Sequence, residues 1–305
     1  MELIHNIAII FISIFFEALP FLLLGALISS IIERYISNET MAKIIPKNPI
    51  SGSIVGIIMG FFLPACDCAV IPITKRLIKK KVPINVAVSF MLSSPIINPV
   101  VLLSTYYAFY NTNPEIFWER LLLGMLIALG IGIIMGIIFN KKEVIINNGD
   151  NHCSCNHEHH EKNRTIKNDL LFISKHAAYD LFDVVKYLML GALLASMVQV
   201  LLPRNTMTMF NENLVLSIVV MMVFAYLISL CSTSDSFVGK SLLSTFSEGS
   251  ILAYLLLGPM IDVKNTIVLL GNFKKKFTIT LISLIFIAIF IICVLAVKLL
   301  WKSDF

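Results

Sequence analysis

The sequence predicts an all-α polytopic membrane protein with about eight transmembrane segments in two repeats. Three observations carry that reading. Of 305 residues, 57% are hydrophobic and only 14% charged, where soluble domains carry about 25% charged residues. Mean hydropathy is +0.87, and apolar runs of membrane-spanning length recur along the whole chain. Two of these runs hold polar stretches with helix breakers, and the two stretches resemble each other. Such pairs mark transporters built from repeats with interrupted helices.

The first apolar run, about 7–32, follows Glu2 and His5 rather than basic residues. It is too long for the core of a secretory signal and has no small-residue cleavage site, so a retained helix is expected. Further runs cover about 53–74, 83–109, 116–139, 180–202, 214–237, 250–271 and 277–300. Pro95 and Pro259 interrupt the third and seventh and predict broken or re-entrant helices there. The polar stretch from Asn140 to about Lys175 divides the chain into a first transmembrane repeat (1–140), a cytoplasmic Cys/His-rich loop (141–178) and a second transmembrane repeat (179–305). Basic residues cluster after the second run (Lys75, Arg76, Lys79, Lys80, Lys81) and in the central loop, which favours both termini and that loop in the cytoplasm. Lys43, Lys47 and Lys274-Lys275-Lys276 argue against this arrangement. Four runs per half make parallel repeats, and re-entrant third and seventh runs allow inverted ones. The residues leave that choice open.

The repeat is legible in its offsets. Gly25-Ala26-Leu27 recurs as Gly191-Ala192-Leu193, Glu17 as Asp183, Cys66 as Cys231, Lys75 as Lys240, Pro95 as Pro259 and Asn98 as Asp262. All are separated by roughly 165 residues, with the small drift that loop insertions leave.

The chemistry concentrates in the matched stretches. Ser94-Pro95 and Asn98-Pro99 put freed carbonyls, a hydroxyl and an amide at membrane depth, tolerable only against protein or a wet cavity. Gly258-Pro259 leads into Asp262, Lys264 and Asn265. An ion pair between Asp262 and Lys264 needs an unwound backbone, because residues two apart face different ways on a helix. Cys66, Asp67 and Cys68 in the first half answer Cys231, Ser232, Thr233 and Asp235 in the second. Three thiols suit a soft ion such as trivalent arsenic or antimony, Cu(I) or Zn, with Asp67 and Asp235 balancing charge or relaying protons. Glu17 and Asp183 are candidates for proton or ion coupling. In the central loop, His152, Cys153, Cys155, His157, His159 and His160 form a metal-capturing tract for Zn or Cu(I). No obligatory cofactor is expected. No nucleotide-binding loop, triad or metalloprotease motif is present, so an ion gradient or a partner must supply the energy. The remaining cysteine, Cys293, reads as a small core residue.

C-x-C followed by S-S-P-x-I-N-P in one half, and C-S-T-x-D-x-F followed by G-P-M-x-D-x-K-N in the other, resemble the bacterial predicted-permease family. That family includes trivalent organoarsenical efflux permeases and Cys/His-loop copper/zinc efflux proteins. The resemblance runs from about Glu17 to Gly271. It implies a multi-pass plasma-membrane permease, not an enzyme, with the matched motif residues on the substrate pathway. The Asp262/Lys264 motif is similar to a branch found with a separate membrane-associated subunit.

The resulting expectation is a permease for a soft metal ion, metalloid or thiophilic compound, working by secondary or partner-dependent efflux. Its partners are the bilayer, a small ion or metalloid, a second subunit and copies of itself, and no nucleic acid. The competing readings are a non-transporting metal sensor or handover subunit, and a membrane thiol-disulfide enzyme.

Overall fold

The computed structural model describes residues 2–35, 46, 48–63, 67–139, 144–145, 166–201, 214–228, 231–243 and 245–300. Among these the chain forms twelve helices, six in each half and in the same order. The first half contains α1 (Glu2–Tyr35), α2 (Pro49–Phe62), α3 (Asp67–Lys79), α4 (Ile84–Ile97), α5 (Pro99–Phe109) and α6 (Glu115–Ile138). The second contains α7 (Ile166–Leu201), α8 (Leu214–Ile228), α9 (Ser234–Leu242), α10 (Glu248–Met260), α11 (Val263–Asn272) and α12 (Lys275–Leu300).

Among the described residues six helical stretches are long and apolar enough to cross a membrane, 4–28, 84–109, 115–138, 177–200, 248–272 and 275–297, so a count of eight is not confirmed. The second and sixth apolar runs are each divided between two short helices, α2 with α3 and α8 with α9. Leu63, at the end of α2, is extended (φ −95°, ψ 106°), as a residue preceding a proline prefers.

The breaks fall just after the two prolines rather than on them. Pro95 and Pro259 sit inside α4 and α10 near their C-terminal ends. The chain opens at Asn98 (ψ 130°), which precedes Pro99, and at Ile261 and Asp262, both extended. These broken spans form the inner layer. In the windows of 84–109 and 248–272, 78% and 83% of residues are buried, against 33% and 22% for α6 and α12. A helix apolar on every side belongs in the middle, and unbroken helices surround it.

Side-chain contacts fix the direction of each helix. The ends of α3, α6 and α11 share one end of the bundle with the start of α12. Lys75 Nζ donates to Asn272 Oδ1 at 3.0 Å. Ile145 and Phe273 form an antiparallel bridge, and Phe139 packs on Phe277 with ring centroids 5.4 Å apart. At the other end the Asn113 amide donates to Glu248, joining the start of α6 to the start of α10. The span α4–α5 therefore runs opposite to α10–α11. α1 is likewise antiparallel to α7: Ile14 packs with Ala192 and Ala195, and Asn6 and Ile10 meet Gln199 and Val200. The repeats are inverted.

The short helices are where the chain turns back. α2 descends alongside α4: a side chain at Gly52 would meet Asn85, at Gly56 the Val86 carbonyl, and at Gly60 Ser93 and Ser94. α3 returns to the end from which α2 came. The other pair enters from the opposite end, where Ser217 Oγ lies 2.8 Å from Ser250 Oγ. The turning segments are thus the second and sixth runs, whereas the proline-bearing runs pass through their breaks. With three crossings per half, an odd number, the start of α1 and the end of α12 lie at the opposite end from the end of α6 and the start of α7. This corrects the expectation that the termini and the central loop share a side.

Candidate functional site

Inverted pairing brings four helix N-termini to mid-bundle, and each carries a carboxylate or amide in its first turn or cap. Asp67 begins α3, Asn98 caps α5, Asp235 follows Ser234 at the start of α9, and Asp262 caps α11. Acceptors at helix N-termini satisfy free backbone donors and the helix dipole. Asn98 Oδ1 accepts from the Val100 N–H at 3.0 Å, and Asp262 Oδ1 from the Asn265 N–H at 2.7 Å. The packing is crossed between repeats. α3 of the first half lies on α11 of the second, and α9 of the second lies on α5 of the first.

The first crossing holds Asp67, Cys68, Asp262, Lys264 and Asn265, all at least nine-tenths buried. Because Asp262 is extended, its carboxylate bends back to Lys264 Nζ at 3.2 Å. Cys68, Asp67 and Asp235 also lie within electrostatic reach of that ammonium. Asn265 Oδ1 and Ser94 Oγ are buried with no hydrogen-bond partner among the described residues. Pro95, Gly258 and Pro259 are buried helix residues that lead into the breaks, and Pro99 is the first residue of α5.

The second crossing is built on hydroxyls and a guanidinium. Arg120, on α6 and 1% exposed, donates through Nη1 to Thr105 Oγ1 (2.5 Å) and Ser236 Oγ (2.8 Å). Its Nη2 donates to the Ser232 carbonyl at 3.4 Å. Asp235, fully buried, accepts from the Tyr254 hydroxyl at 3.0 Å. Cys231 Sγ lies 3.4 Å from Thr233 Oγ1 and within electrostatic reach of Asp67 and Glu17. Glu17 accepts from Ser234 Oγ at 3.4 Å, which brings α1 to the start of α9.

The sequence reading did not single out Arg120, Thr105, Ser236 or Tyr254. Arg120 carries a signal, an ionisable residue near the start of the spanning run at 116–139. Thr105, Ser236 and Tyr254 carry no signal that separates them from ordinary helix residues.

Cys66, His152, Cys153, Cys155, His157, His159 and His160 lie outside the described residues, as does the side chain of Asp183 on α7. Among the described residues no group of three or more His, Cys, Asp or Glu is placed to hold a metal ion. Among the described residues, three buried carboxylates face two buried cations, with two thiols beside them. The centre is acidic and soft, and is shared between the repeats.

Comparison with known proteins gives the family. A family described as predicted permease matches residues 3–298. The chain is 41% identical to the UPF0718 protein YcgR of Bacillus subtilis strain 168, over 96% of each chain. It is 37% identical to a putative two-component membrane permease complex subunit of Streptococcus mutans, over 94% of this chain and 93% of that one. No solved structure matches. With its inverted repeats and its apolar spans, the chain belongs to this predicted-permease family of bacteria and is a multi-pass membrane transporter.

Proposed function

We propose that this permease carries a soft metal ion, metalloid or thiophilic compound out of the cell through the mid-bundle centre. One observation supports the reading above the others. Cys68 and Cys231, one from each repeat, flank a centre with more buried carboxylates than cations. Thiols favour soft ions, and the excess of carboxylates favours positive charge. Substrate held between inverted repeats can be exposed to either side by rocking one repeat against the other.

The end bearing Lys75, Arg76, Lys79, Lys80, Lys81 and Lys274 to Lys276 is the cytoplasmic one in this reading. It then also receives the central loop, so metal captured there enters on the cytoplasmic side. No nucleotide-binding motif is present, so the cycle is driven by a gradient or through a second membrane-associated subunit. The Streptococcus mutans relative is itself named as a complex subunit.

The test is uptake into everted vesicles, with trivalent antimony, Cu(I) and Zn as probes. One probe should accumulate with the wild type and fall at least tenfold with Cys68→Ser or Cys231→Ser at equal expression. Accumulation untouched by both substitutions would remove the thiols from the pathway.

A further inference from the structure

We propose that Asp235 is the proton-binding site of the transport cycle and Arg120 its internal counter-ion, placed so that protonation loosens the link between the two repeats. The proposal rests on the transport reading above and adds the coupling ion to it.

The three buried acids differ in what they touch. Asp262 is committed within its own helix, capping the Asn265 N–H and pairing with Lys264 two residues away. Its charge state acts first inside α11. Asp67 lies beside Cys68 and Lys264, where substrate is proposed to bind. Asp235 has another setting. It belongs to the second repeat, yet of the two cations that reach it one, Arg120, stands on α6 of the first, and the other, Lys264, on its own repeat.

Arg120 is also the hinge pin of that boundary. Its guanidinium joins Thr105 on α5 to Ser236 on α9 and to the Ser232 carbonyl in the turn before it. Ser236 Oγ further reaches Ser104 (3.3 Å) and Thr105 (3.0 Å). Arg120 Nε is buried with no hydrogen-bond partner among the described residues. The guanidinium is therefore held by neutral oxygens, while its charge is balanced at a distance by Asp235 and Asp67.

Charged and hydroxyl groups reach Asp235 from several helices. Arg120 comes from α6, Tyr254 from α10, and hydroxyls from α5; Glu17 of α1 reaches the adjacent Ser234. Lys264 of α11 feels the Asp235 charge. Adding one proton from the water phase turns the carboxylate into a neutral acid, with no other bond made or broken. Arg120 then keeps its hydroxyl partners but loses a counter-charge, and an unbalanced buried cation weakens the contact that holds α6 to α9. Release of the proton restores it.

Infrared difference spectra of the purified full-length protein in lipid nanodiscs, taken between acidic and alkaline buffer, test this without any substrate. Among the protonated-carboxyl bands that the chain's 19 acids give on acidification, one should be present in the wild type and in Asp262→Asn and be lost in Asp235→Asn. Tyr254→Phe, which removes the hydroxyl that donates to Asp235, should shift that band, as should Asp235→Glu. Loss of no band in Asp235→Asn, or a band unmoved in Tyr254→Phe, overturns the proposal, as does a wild type with no such band.

Everted vesicles with trivalent antimony under a pH gradient form the second arm. Asp235→Asn should lose at least tenfold of the gradient-driven uptake. A wild type inert to antimony but showing the Asp235 band would count against the substrate class and leave the proton site standing.

Discussion

Lys264 is an ammonium with 2% exposure, and Asp262 at 3.2 Å is what makes it tolerable. Removing one member of a buried pair leaves an uncompensated charge and costs about 3–5 kcal/mol, whereas removing both is often close to neutral. Lys264→Met should therefore lower stability by about that amount, and Asp262→Asn with Lys264→Met should recover most of it, because Asn still caps a helix. Thermal unfolding in detergent measures both. Equal losses in the single and double variants would mean that the pair does not balance charge. This pair was legible in sequence down to its condition, an unwound backbone, because two residues of spacing exclude a helical contact. Arg120 was not, because its partners Thr105, Ser232 and Ser236 come from segments about 15 to 115 residues away in the chain, and no local pattern reports them.

At the level of elements, the turning helices depend on bare backbone. A Cβ added at Gly56 of α2 would collide with the Val86 carbonyl of α4, and a backbone atom cannot step aside as a side-chain tip can. Small residues at such crossings let helices approach closely. Gly56→Ala should cost about 1–3 kcal/mol from overpacking. Gly130 on α6 provides the contrast, with nothing within 4 Å of an added Cβ. Gly130→Ala should raise stability by about 0.5–1 kcal/mol through helix propensity. Denaturant melts of both variants check the pair of predictions, and a shared sign would show that helix crossing at Gly56 is looser than the structure has it.

The same elements show where sequence reading stopped. Each proline marked its break to within a few residues, since the loss of a donor and the constraint on the preceding residue are local effects. The turning of α2–α3 and α8–α9 was hidden, because two short apolar helices and one long one differ little in hydropathy. Their direction is set by contacts such as Ser217–Ser250 that belong to the folded state.

For the whole molecule, inversion resolves the conflict among the basic residues. Read as a line, Lys274 to Lys276 argued against the side chosen by Lys75 to Lys81. In the structure both groups lie at one end, joined by the Lys75–Asn272 hydrogen bond and by the Lys274 N–H donating to the Val144 carbonyl at 2.9 Å. The crowding is physical: burial and the nearby Arg76 hold the Lys80 ammonium below its usual range. Asn111 lies at the opposite end, exposed between α5 and α6. In the proposed orientation the positive-inside bias puts the basic end in the cytoplasm, and three crossings per half then put the start of α1 and the end of α12 outside. Single cysteines in a background with all six native cysteines changed to serine test this directly. Asn111→Cys should react with a membrane-impermeant maleimide in intact cells, whereas Lys275→Cys should react only after permeabilisation. The reverse pattern would turn the transporter over, and with it the direction assigned to flux. Labelling of both in intact cells would contradict the placement of these two loops at opposite ends and so the inverted repeat itself.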